Sequence, residues 1–318
     1  WLAFSQPRTM GRTVAGKARL KADSIISGPS SYRGDDLLLL HGLRVVTIAL
    51  NLPGPAACAR LRDLGAAVAK IEPPSGDPFE EFSPAWYRRM HEGMEVGRLD
   101  LKSDIGRKAM ARRLEEADLL VTAQRPAALE RLGLSPEALA RFPKLCHVAI
   151  TGHAPPDDAI AGHDLTYMAE AGLVAPPALP ATLFADMAGA ERAVSTALAL
   201  LLSRERGGTQ RRAVSALADA AHALAGPRRE GLTRPGALLG GGFAGYNLYA
   251  AKRGWVALAA LEPHFAERLR QHFALAKLDA ASLAELFAGH DAAYWHEWAR
   301  EHDMPLAALD ESSTNPKD

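Results

Sequence analysis

Three side chains in one stretch have the types and spacing of an acid–base site. His163 and Asp164 follow Gly162 in a short polar turn, and Asp186 comes roughly twenty residues later. An imidazole and a carboxylate offered to one substrate can take a proton from one face and return it on the other. A carboxylate in that position can also act as a nucleophile. Glu262, in Glu262-Pro263-His264-Phe265, is a further acid of interest. Each has a plainer reading. Asp186 stands directly before a long helical pattern and reads as an N-cap, with the positive end of the helix dipole behind it. Glu262 reads as a solvent-exposed acid at a helix start. Asp164 either holds the turn or shares the proton. No His/Cys/Asp cluster has metal-ligand spacing, so no metal is expected.

The elements that must position these groups are legible in part. After Asp186, apolar residues Ala190, Val194, Ala197, Leu198, Leu201 and Leu202 fall on one predicted helix face. The N–H groups that follow Asp186 would then be free to hold an oxyanion. Upstream, Leu43–Ala49 reads as a buried strand, Ala56–Leu64 as a helix closed by Gly65, and Ala67–Ile71 as a second strand. That is a βαβ unit with a parallel pairing. Pro53-Gly54-Pro55 occupies its first turn where a G-x-G-x-x-G would stand, which disfavours a dinucleotide site. Further strands are expected at Leu119–Val121, His147–Ile150 and Trp255–Leu261, with an amphipathic helix over Phe265–Phe273.

These segments in order resemble the class III (CaiB/BaiF) CoA-transferase family, and within it the α-methylacyl-CoA racemase branch. The resemblance rests on the run LPGPAACARLRDLGAAVAKIEPPSGDP, on Asp186 with its helix ending in Arg204, Arg206 and Gly207, and on Gly162-His163-Asp164. Tyr294-Trp295 through Leu306 extends it, so that it covers about Gly42 to Leu309. It implies an α/β fold: a parallel-sheet, Rossmann-like large domain plus a smaller α+β domain. The boundaries expected are a leader at 1–41, the large domain at 42–205, the smaller at 206–300 and a curtailed C-terminal return at 301–318.

The resemblance also implies site roles. Asp186 and His163 would be catalytic, with Glu262 orienting the histidine. Coenzyme A, as part of the substrate rather than a resident cofactor, would meet Glu72, Pro73, Arg88, Arg89, Arg98 and Arg125. Gly240, Gly241 and Gly242, with Tyr246, would form a flap over the thioester; read alone, the glycines are a flexible turn. Where relatives carry a basic run for the phosphates, this chain has Met90-His91-Glu92-Gly93-Met94-Glu95, and acids are the wrong sign for that task. Two interlocked copies are implied as well.

Bulk composition narrows the rest. Lys plus Arg and Asp plus Glu both number 37, so charge points neither to nucleic acid nor to a membrane surface. No apolar run approaches the roughly 20 residues of a bilayer span. Cys58 and Cys146 lie far apart in apolar contexts and read as buried thiols of a cytoplasmic protein. Residues 1–41 have no sustained period and are expected to be poorly ordered. Three functions stay open: racemisation of a 2-methylacyl-CoA through an enolate, CoA transfer through an aspartyl anhydride, and a CoA-binding paralogue without turnover.

Overall fold

A computed structural model describes residues 38–309. Expectations for residues 1–37 and 310–318 lie outside the described residues. Six strands form the larger sheet: β1 (Arg44–Thr47), β2 (Ala67–Glu72), β3 (Glu95–Arg98), β4 (Leu119–Thr122), β5 (Cys146–Thr151) and β6 (Arg212–Ala216). All pairings are parallel, in the order β3-β2-β1-β4-β5-β6. Helices α1 (Pro53–Asp63), α2 (Pro78–Phe82), α3 (Pro84–His91), α4 (Asp104–Glu116), α5 (Pro126–Arg131), α6 (Pro136–Leu139), α7 (Asp164–Glu170), α8 (Phe184–Glu205), α9 (Leu217–Leu224) and α10 (Gly226–Arg229) connect and cover it.

Both faces of this sheet are covered around β1, β4 and β5, whose strands are near-continuous apolar runs, while edge strand β3 is largely exposed. Val45, Leu119, Val121 and Val148 pack beneath α1 and α8, while Val46, Ile48 and Leu120 pack beneath α4. Proline at the first turn of α1 costs no hydrogen bond, because that N–H has no helical acceptor. Gly54 has a packing reason: a Cβ there would lie 2.2 Å from the Cβ of Ala49. The chain turns outward on opposite sides of β1 and β4, and this reversal opens a crevice at the carboxyl ends of the strands.

The smaller sheet is antiparallel, β7 (Tyr246–Ala250), β8 (Trp255–Ala259) and β9 (Leu306–Leu309) in that order. Helices α11 (Pro263–His272), α12 (Ala280–Ala288) and α13 (Ala292–Glu301) accompany it. Its core is built around Val256, Leu258, Leu269, Phe287 and Trp295, and shares no buried residue with the larger domain's clusters. The Trp295 indole N–H donates to the Phe287 carbonyl at 2.9 Å, so the largest core side chain is also satisfied.

Several expectations are corrected. The boundary at 205 is too early, because β6 pairs with β5 (Ala149 opposite Val214) and α9 packs on α8. Pairing there covers an edge that β5 would otherwise expose. Leu306–Leu309 does not return to the large domain, since it pairs with β8 (Val256 opposite Ala308). The apolar stripe of α8 is rotated: Gly189, Ala193 and Leu200 join the buried face, while Leu202 is 51% exposed. Order also starts before residue 42. Leu40 is buried, and its N–H donates to the Leu64 carbonyl at 2.8 Å. Leu40→Ala should therefore cost about 2–3 kcal/mol of unfolding free energy in a urea titration; no measurable loss would show that this turn is not docked. Cys58 and Cys146 are both buried and free. Among the described residues no helix is long and apolar enough to cross a membrane.

Candidate active site

The crevice forms a cleft of about 640 Å³, walled by the segments that follow β1, β4 and β5. His163, Asp186 and Arg125 all line it. His163 caps α7 with its backbone. Its N–H donates to the Thr166 hydroxyl at 3.0 Å, and its carbonyl accepts the Thr166 N–H at 2.9 Å. The imidazole stands at this first turn of α7 and lines the cleft. Gly162 admits the ring of Tyr167 beside this turn, since a Cβ there would lie 2.4 Å from its Cε1.

Asp186 is not the N-cap. Leu183 takes that place, and Asp186 is the third residue of α8. The capping acid is Asp164, whose Oδ1 accepts the Asp186 N–H at 2.9 Å from the start of α7. This serves an otherwise orphan helix donor across two elements. The N–H groups after Asp186 are unavailable to an oxyanion, because the ladder already begins with Met187 N–H to Leu183 O at 3.0 Å. Among the described residues, the N–H groups of Phe184 and Ala185, the first two of α8, meet no acceptor.

The same geometry sets the carboxyl's acidity. A helix N-terminus favours a negative charge by about 0.3–1 kcal/mol at an exposed site. Burial and the neighbouring Asp164 charge outweigh that and push Asp186 from 3.8 up to about 7. At neutral pH the group is thus present both as acid and as base. Burial, with Asp186 among the nearby acids, also raises the Tyr167 phenol.

The other expected residues do not gather here. Glu262 caps α11 with its backbone, is exposed and lies outside the cleft. Gly240, Gly241 and Gly242 make a compact turn in which the Gly240 and Gly242 N–H groups both donate to the Ala237 carbonyl at 2.9 Å. Gly241 and Tyr246 line a separate hollow against β7 and β8. Arg88 and Arg89 are exposed on the last turn of α3 and do not line the cleft, nor does half-buried Pro73. Arg98 is occupied by acids, 3.8 Å from Glu72 and 3.7 Å from Glu80.

Glu72 proves to belong to a buried polar cluster behind the cleft wall. The Lys70 ammonium is wholly buried, 2.5 Å from Asp77 Oδ2, 3.1 Å from Glu72 Oε1 and 2.9 Å from His91 Nε2. A lysine has three N–H donors, and each has a partner here. His91 must then accept through Nε2, so its Nδ1–H donates to the Tyr87 carbonyl at 2.7 Å. Burial and the Lys70 charge hold the His91 pKa below the usual imidazole value accordingly. The Tyr87 hydroxyl donates to Glu72 at 2.6 Å. In sequence the only hint is charge at the inward-facing positions of an otherwise apolar strand.

Comparison with known proteins bears on this arrangement. The sequence profile of CoA-transferase family III matches residues 40–314. The chain belongs to that family. It is 31% identical over 189 residues to a probable fatty acyl-CoA transferase, Rv3272 of Mycobacterium tuberculosis, covering 53% of this chain and 48% of the relative. It is 29% identical over 247 residues to the α-methylacyl-CoA racemase of Mus musculus, covering 72% and 63%. The crystal structure of Rv3272 superposes with a TM-score of 0.72 at 25% identity, covering 87% of this chain and 86% of that one. The matches cover between a third and a half of the length of the curated relatives that this chain matches first. Its relatives thus include proteins of both reaction types.

Proposed function

We propose that the cleft takes an acyl-CoA and that Asp186 and His163 invert its α-carbon, as for a 2-methylacyl thioester. The observation that carries this reading is a largely buried carboxyl, its pKa pushed up to about 7 by burial and Asp164, in the same cleft as the His163 imidazole. One group removes the α-proton, and the C–H electron pair moves into the enolate. The other returns a proton to the opposite face. A carboxyl that is half ionised near pH 7 can take either part, so both enantiomers can enter.

CoA transfer is the second reading, with Asp186 attacking the thioester and CoA thiolate reopening the anhydride. It is favoured by the position of Glu262, which does not orient His163 within one chain. A homodimer belongs to the racemase proposal, because a second copy is the source from which Glu262, Gly241 and Tyr246 would reach the cleft. Light scattering that finds monomer mass alone would remove that part.

The deciding experiment is deuterium uptake at the α-carbon of a 2-methylacyl-CoA in heavy water. Exchange without transfer to a free acid is the expected result. Transfer without exchange would establish the second reading, and neither would leave a binding protein.

A further inference from the structure

Asn51 has a left-handed backbone, φ 65°, where the chain leaves β1 for the cleft. Such a conformation persists at a residue other than glycine only where its surroundings enforce it, and asparagine tolerates it better than most. Asp77 is the enforcing group. Its Oδ1 accepts the N–H groups of Asn51 and Phe79, each at 3.0 Å, while its Oδ2 holds the Lys70 ammonium at 2.5 Å. Asp77 cannot turn away without leaving a fully buried cation short of a partner.

The backbone of Asn51 is therefore tied down, but its carboxamide is not. That group is exposed, lines the cleft and has no partner among the described residues. The Arg125 guanidinium, just past β4, is likewise open. Gln124 beside it is already engaged, since its Nε2 donates to the Ile48 carbonyl at 2.6 Å and its Oε1 accepts the Ala123 N–H at 3.2 Å. Two unengaged polar groups thus stand where the strand order reverses, one cationic and one a neutral amide.

We infer that Asn51 is a binding residue of this cleft, presenting its carboxamide to the amide groups of the pantetheine arm. The inference rests on the acyl-CoA reading above. A phosphate offers only acceptors and suits Arg125. A secondary amide offers one donor and one acceptor, which a carboxamide matches on both counts.

The test uses the full chain with CoA followed by calorimetry and pantetheine by ligand-observed NMR. Asn51→Gly keeps the left-handed backbone and deletes the carboxamide. Asn51→Asp keeps the shape and deletes the donors. Asn51→Gly should weaken pantetheine and CoA by the same factor, about tenfold, and Asn51→Asp should weaken pantetheine at least as much. Both should melt like the wild type. Unchanged affinities, or weakening of CoA alone, would overturn the inference while leaving the acyl-CoA reading in place. A wild-type chain that binds neither probe would overturn both.

Discussion

Asp186→Asn should abolish turnover while leaving a folded protein that is more stable than the wild type in mild alkali. An amide neither takes the α-proton nor attacks a thioester, so kcat should fall by about 10²–10⁴ or more. The stability change follows from the carboxyl's position. Its folded value of about 7 lies above the unfolded 3.8, so folding favours the protonated form. The stability that this group contributes is fully present below the unfolded value and is lost as pH rises through the folded one. An asparagine at this position would carry no such loss. The variant's advantage should be absent near pH 3 and should grow to at most about 4 kcal/mol by pH 8, measured by urea unfolding across that range. Wild-type kcat/KM should in turn show a limb near pH 7. A folded variant with wild-type turnover would sink both enzymatic readings and leave Asp186 a structural acid.

Lys70→Met should lower stability by about 3–5 kcal/mol, the usual cost of removing one partner from a buried ion cluster. The loss arises from what stays behind: Glu72 and Asp77, both buried, would lose their lysine and keep only the buried His91 imidazole, the Tyr87 hydroxyl and exposed Arg98 as side-chain neighbours. Methionine fills much of the volume, so a cavity contributes little. The deficit should be smaller at pH 4 than at pH 8, because a protonated carboxyl needs no cation. Urea unfolding at both values reads it. A deficit under about 1 kcal/mol at pH 8 would show that the ammonium is dispensable to this wall.

Lys70 also marks where sequence reasoning runs out. In Ala67–Glu72 the lysine sits at a position whose apolar neighbours announce a buried strand, yet nothing local announces its burial. Its partners Asp77 and His91 arrive 7 and 21 residues later, by way of two short helices. The strand itself is plain, as are β1, β4, β5 and β8, because β-branched runs bounded by glycine and proline are local signals. Asp186 shows the same division. A helix beginning near it is legible from periodicity, but its cap comes from Asp164, 22 residues upstream. Membership of β6 in the larger sheet is not legible, since register is fixed only when β5 offers its edge. The pairing of His163 with Asp186 comes from the resemblance, and their common cleft is set by the crossing of strand order between β1 and β4.

The separate cores of the two domains have a corollary for substitutions. Stability effects couple strongly when residues share packing partners and add nearly independently when they do not. A substitution around Trp295 or Phe287 thus draws on one stability reserve, and a substitution beneath α8 on another. A substitution in the smaller domain's core should therefore leave the packing beneath α8, the helix that carries Asp186, nearly unchanged.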